Sequence, residues 1–261
     1  MRRMISFASR NIKELLRDPL SYIFCLGFPI VMLAAMTAIN SMIPTDPTTG
    51  AKAMDLFEAA KLTPGIAVFG MSFIMLFATL SVSKDRSTAL ITRLRTSPMT
   101  AFDFIAGYAL PLTVMAIGQT VITVLAGLIV GLTTGSEYSF ARSLLLIPAM
   151  LPCALFFIGI GIIFGTLFSE KAAPPCSSII ISLCGLLGGI WFSLDTIPEG
   201  NFFGTLCKIL PFRHPVDLGR AIMAGDSSAV TVPLVISAVY GVVTFAAAVL
   251  VFRLRMKKDA G

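Results

Sequence analysis

Of the residue types that carry enzyme chemistry, this sequence offers few. It has one histidine, His214, and five cysteines, Cys25, Cys153, Cys176, Cys184 and Cys207. The cysteines are scattered, with neither CxxC nor Cys/His ligand spacing, so they read as small apolar packing residues rather than a metal site or disulfide framework. His214 stands between Pro211 and Pro215, where a structural or headgroup-level role outweighs ligand binding. No serine-elbow motif, phosphate-cradling GxxxxGK[ST] or His/Glu/Asp cluster occurs. Catalytic, cofactor-binding and metal-binding residues are therefore expected to be none.

The residues that do gather are charged. KDRSTALITRLRTSP, residues 84–98, holds Lys84, Asp85, Arg86, Arg93 and Arg95 in a chain only 13% charged. Leu90, Ile91 and Leu94 fall within about 100° of helical arc, with Arg93 and Arg95 beside them. Ser87 or Thr88 can cap such a helix and Pro98 ends it. A two-turn helix with a narrow apolar stripe and basic edges suits docking into a groove on another protein. On the residues alone, a solvated loop held by headgroup phosphates is the alternative.

What positions this window is a membrane. The chain is 56% hydrophobic with a mean hydropathy of +0.89, and its charge content is half the roughly 25% of soluble domains. A spanning helix needs about 20 apolar residues, and six segments qualify: roughly 20–39, 64–83, 104–132, 143–168, 172–195 and 230–252. Pro111 can bend the long third run. The alternation of membrane strands is absent. The expected fold is all-α and integral to the membrane. It is one transmembrane unit over residues 1–261, with six transmembrane helices, an interfacial helix at 1–19 and two short outer half-helices within 196–229. Arg2 and Arg3 imitate a signal peptide's start, but Glu14, Arg17 and Asp18 interrupt it, so a retained first span is expected.

Residues 4–17, MISFASRNIKELLR, place Met4, Ile5, Ala8, Ile12, Leu15 and Leu16 on one arc and Arg10, Lys13 and Arg17 opposite. Such a helix is expected to lie in the headgroup plane. Of the twenty Lys and Arg, fourteen fall in segments on one side of the spans and six on the other. Positive residues collect in the cytoplasm, so both termini and residues 84–103 are expected inside the cell. The same dispersal argues against nucleic acid as a partner.

The segment TIPEGNFFGTLCKILPFRHPVDLGRAIMAGDSS carries two short half-apolar stretches, Phe202–Leu210 and Pro215–Ala224, with Gly225 at a helix-ending position. In GIGIIFG, Gly161 and Gly165 have the spacing that lets helix backbones approach, within the chain or across a dimer. The turn SEKAAPP, with Glu170 and Lys171, makes an antiparallel hairpin of the spans around it. The span interiors hold essentially no ionisable groups, so uphill movement would need energy from a partner. Gln119, the most polar group deep in a span, fits either an interhelical hydrogen bond or a lining position on a substrate path.

Across nearly its whole length the chain resembles the permease subunits of type-2 ATP-binding-cassette (ABC) exporters. The features that carry the resemblance are the amphipathic first helix, the Leu/Arg helix ending in Ser-Pro after the second span, and the series Pro198, Pro211, Arg220, Gly225 in the outer pair of half-helices. It departs in one respect: family members often have an acidic-basic-acidic run and a glycine before the short helix, where this chain has Lys84-Asp85-Arg86 and Ser87-Thr88. The resemblance implies a multi-pass protein of the inner or plasma membrane, paired with a second copy or a sister chain. Two separate ABC ATPase subunits would hold ATP and Mg; this chain would bind no cofactor and be no enzyme. Residues 84–98, including Lys84, Asp85, Arg86, Leu90, Ile91, Arg93, Leu94 and Arg95, would rest in an ATPase cleft, with Glu170 and Lys171 as a lesser contact. The implied activity is outward export of a hydrophobic or amphipathic drug or lipid. Export of lipid-linked polysaccharide or peptide is an alternative within the family, and an ATPase-independent lipid enzyme or carrier is one outside it.

Overall fold

The computed structural model describes residues 2–43, 55–88, 100–192, 194 and 201–258, and every regular element among them is helical. Helix α1 (Arg2–Leu15) runs into a turn that Asp18 ends. The Asp18 carboxylate accepts from the Leu20 N–H at 3.1 Å and the Ser21 hydroxyl at 2.9 Å, capping α2 (Pro19–Met42), whose first residue is a proline. A π-helical stretch, Ile23–Gly27, interrupts α2. Then come α3 (Ala59–Ser87) and α4 (Ala101–Thr134). Helix α4 opens on a capping box, in which Thr100 and Asp103 satisfy each other's backbone N–H. Helix α5 (Phe140–Leu167) turns at Met150 between Pro148 and Pro152. Three shorter helices follow, α6 (Ala173–Leu187), α7 (Phe202–Ile209) and α8 (Arg213–Ala224), before the long α9 (Thr231–Lys258).

Among the described residues five helices are long and apolar enough to cross a membrane: α2, α3, α4, α5 and the Thr231–Met256 part of α9. The sequence pattern suggested a sixth over 172–195. There the helix stops at Leu187, because Gly188 and Gly189 follow and Gly189 adopts φ +64°, a conformation that ends helices. Its 15 residues cover about 22 Å, short of the roughly 30 Å hydrocarbon core. A second difference concerns the charged window. Residues 84–87 are the last turn of α3, and Thr88, read from sequence as a candidate start of the next helix, closes this one with its N–H on the Lys84 carbonyl. Leu90, Ile91, Arg93, Leu94, Arg95 and Pro98 lie outside the described residues, as does Pro198.

Helix α3 is the axis of the bundle. Leu62, Ile66, Val68, Ile74, Met75, Ala78 and Val82 are wholly buried along it, and α2, α4, α5, α6 and α8 all pack on it. Helix α9 lies mainly against the Leu151–Leu167 half of α5, and α1 lies against the first part of α4. Both α2 and α9 keep broad exposed apolar flanks, among them Val31, Val235 and Val242. The glycine pair in α5 acts within the chain, since both residues face α3. A Cβ on Gly161 would stand 2.5 Å from the Met75 carbonyl, and one on Gly165 2.7 Å from that of Thr79.

Candidate functional site

Four consecutive residues at the end of α3 are tied to other elements. Basic residues in a final turn complement the helix dipole, which accounts for Lys84 and Arg86 there. Asp85 is different: an acid at a helix C-terminus, with its side chain only 5% exposed, needs partners. It accepts from both terminal nitrogens of Arg10, at 3.0 and 2.8 Å, and from the Tyr108 hydroxyl at 2.7 Å. This bidentate, charge-assisted arrangement fixes orientation as well as sign. The Arg10 Nη2 also donates to Glu14 at 3.0 Å, and Lys84 donates to the other Glu14 oxygen at 2.7 Å. Two cations and two carboxylates thus close a neutral cluster joining α1, α3 and α4. The Asp85 hydrogen bond raises the Arg10 pKa above its ordinary value against an opposing desolvation, so this guanidinium stays charged.

Packing completes the joint. The Phe7 ring meets Phe104 and Tyr108 edge-on, with centroids 5.7 and 5.0 Å apart. Asn11 donates to the Gly107 carbonyl at 3.1 Å, and Gly107 leaves the space that Phe7 occupies. On the other flank, Arg86 donates to the carbonyls of Gly165 at 2.9 Å and Phe168 at 3.2 Å, groups that the end of α5 leaves without helical partners. The Ser87 hydroxyl donates to Glu170 at 2.7 Å. Of the residues singled out from sequence, the structure therefore brings Lys84, Asp85, Arg86 and Glu170 together with α1, α4 and the end of α5. Lys171 is exposed beside them.

The sequence reading missed Arg10, Glu14, Phe7, Asn11 and Tyr108. One signal was present: Glu14 follows Arg10 at i+4, the spacing of a helical ion pair, on a helix otherwise basic. Nothing in the sequence showed that Phe7 and Asn11 join Ala8 on a buried face of α1.

On the far side of the bundle, arginines hold the short helices. Arg220 donates to the Gly189 carbonyl at 2.8 Å and the Lys61 carbonyl at 3.3 Å, tying α8 to the end of α6 and the start of α3. Arg142 donates to the Met223 and Ala224 carbonyls at the end of α8, where Gly225 takes φ +78°. Pro211 lies just before α8. Arg220→Ala is expected to cost about 2 kcal/mol, since hydrogen bonds to a charged donor contribute roughly 1.5–3 kcal/mol. Arg220→Lys restores only part, because one ammonium replaces a fork; the thermal unfolding midpoints of the three proteins check this.

Gln119, wholly buried in α4, donates from Nε2 to the Ala67 carbonyl and to Thr123, each at 3.3 Å. Gly70 on α3 provides the notch that its amide fills. The Gln119 Oε1 has no partner among the described residues.

The model of the family described as "ABC-2 type transporter" matches residues 3–224. A protein described as "Probable multidrug ABC transporter permease YbhR" of Escherichia coli (strain K12) is 26% identical over 165 residues, 62% of this chain. Its counterpart in Escherichia coli O157:H7 gives the same figures, and in both the matched region is 43% of the relative's length. With apolar helices of spanning length, a charged joint at the end of the second of them and a family match over most of its residues, this multi-pass membrane protein belongs to the ABC-2 type transporter family.

Proposed function

We propose that the chain is the transmembrane permease of an exporter that moves a hydrophobic or amphipathic substrate outward. ATP hydrolysis on a separate ATPase subunit drives it. The observation that supports this reading best is the joint at Lys84–Ser87. It lies directly before residues 88–98, and its four side chains grip α1, α4, the end of α5 and the turn at Glu170. A push on residues 84–98 would move these elements together, a rigid-body switch rather than a local flexing. Two such chains, or this one and a sister, with two ATPase subunits holding ATP and Mg, would open a path between paired bundles. In this assembly α6 supplies a sixth, shorter crossing, and the excess of Lys and Arg puts both termini in the cytoplasm. The description of the E. coli relatives as multidrug permeases favours a drug-like cargo.

Co-purification tests the partner. An affinity-tagged chain is expected to retain an ABC ATPase, and Leu90→Ser, Ile91→Ser and Leu94→Ser together to release it while the bundle stays folded. Transport by the chain alone in liposomes would overturn the reading, as would labelling of residues 84–98 from outside the cell. Gln119→Leu separates the two roles open to that residue. Interhelical hydrogen bonds in membranes average about 0.6 kcal/mol, and the variant also removes an unpartnered acceptor, so its thermal midpoint is expected near that of the parent. A changed substrate profile at unchanged stability would place Gln119 on the path.

A further inference from the structure

Helix α1 has three faces, and two of them pack or bond to other helices among the described residues. At about 100° per residue, Phe7, Ala8, Asn11 and Leu15 share the face that packs on α4, and Phe7, Ala8 and Asn11 are buried there. Arg10 and Glu14 share the face bonded to Asp85 and Lys84. The third face is open. One edge of it is apolar, with Ile5 58% and Leu16 59% exposed; the other is basic, with Lys13 and Arg17 exposed. Neither cation forms an ion pair or side-chain hydrogen bond among the described residues. The nearby acids are committed elsewhere: Glu14 to Arg10 and Lys84, and Asp18 to the cap of α2.

We infer that this face is a binding surface for anionic phospholipid in the leaflet on the N-terminal side of the membrane, with Lys13 and Arg17 on the headgroup phosphates and Ile5 and Leu16 among the upper acyl chains. Continuity argues for lipid rather than a protein groove. The apolar edge runs on through Leu20 at 55%, Ile23 at 58% and Val31 at 63% exposure, which is the outer flank of spanning helix α2. The same hydrocarbon that covers α2 therefore covers the apolar edge of α1. The two cations then stand at headgroup depth, where opposite charge attracts them. Because α1 is bonded to the end of α3, a lipid held on one face steadies the ionic joint on another.

The test uses the full chain in lipid nanodiscs with spin-labelled phosphatidylglycerol or phosphatidylcholine, and measures the relative affinity of the two lipids for the protein. The parent is expected to prefer phosphatidylglycerol severalfold at low ionic strength, and the preference to fall with added salt because exposed charges are screened. Lys13→Gln with Arg17→Gln is expected to bring it close to unity, since each cation near an anionic surface contributes up to about fivefold. Lys208→Gln, an exposed cation on the opposite side, is expected to leave it unchanged. The inference fails if the parent shows no preference, if the double variant keeps it, or if Lys208→Gln removes as much. The measurement needs neither an ATPase nor transport, so its failure and the failure of the export reading are separate results.

Discussion

Asp85→Ala is expected to loosen α1 from the bundle and to uncouple the end of α3 from α4. Three hydrogen bonds to the Asp85 carboxylate go at once, two from Arg10 and one from Tyr108. Tyr108 is 1% exposed, so its hydroxyl would be left buried and unpaired. Arg10 is better placed to recover, since its side chain is 40% exposed and Glu14 remains beside it. Breaking a buried ion pair by deleting one partner costs about 3–5 kcal/mol, and the exposure of Arg10 puts this case near the lower figure. Tyr108→Phe, which removes one hydrogen bond and leaves the ion pair, should cost only about 1 kcal/mol. Because the three groups form one network, the double variant should lose less than the sum of the singles. Thermal unfolding measures the cost, and a distance between spin labels on α1 and α4 measures the detachment. If the joint transmits force as proposed, Asp85→Ala should also lower transport per ATP hydrolysed at temperatures where the protein is still folded. An unchanged α1–α4 distance would show that packing of Phe7 and Asn11 alone holds the helix.

The contrast between the two ends of α3 shows what composition and spacing can reveal. Helix existence was plain, because about 20 apolar residues in a row have few other readings. So were the short helices α7 and α8, set off by prolines and Gly225. The charged window was visible too, but its geometry was not. A basic cluster after a span reads as solvent-facing, and nothing in KDRS says that α3 runs one more turn and points its side chains at other elements. Those contacts link residues 75 and 79 positions apart, Arg10 with Asp85 and Arg86 with Gly165. Periodicity carries no information across such separations. Asp85 was the legible hint, an acid amid basic neighbours at a helix end where the dipole disfavours it; a charge so placed needs a specific partner. The shortfall of α6 has a similar origin. Hydropathy runs on past Leu187, while backbone conformation at Gly189 ends the helix.

Gly161→Ala and Gly165→Val are expected to damage the bundle more than their size suggests. In the membrane there is little hydrophobic drive between helices, so association depends on close backbone approach and packing. A Cβ on Gly161 would meet the Met75 carbonyl at 2.5 Å and the Ala78 Cβ at 2.6 Å; on Gly165 it would meet the Thr79 carbonyl and the Val82 Cβ, each at 2.7 Å. These are backbone atoms and first side-chain carbons, which cannot rotate aside, so α5 must move off α3. Overpacking of this kind costs about 1–3 kcal/mol per site, and the valine should reach the upper end. Gly118 in α4 provides the control, having nothing within 4 Å of an added Cβ. There alanine should be neutral or stabilising by about 0.5–1 kcal/mol, because helical glycine carries the larger entropy loss. Ala78→Gly alongside Gly161→Ala should recover part of the loss, which a general intolerance of alanine in α5 would not allow. Yield of monodisperse protein and thermal midpoint read out all four proteins. The Gly165 site reaches further, because its own carbonyl accepts from Arg86 at 2.9 Å. Displacing α5 there pulls an acceptor away from the joint, so Gly165→Val should weaken coupling as well as folding, whereas Gly161→Ala, one helical turn deeper, should weaken folding first.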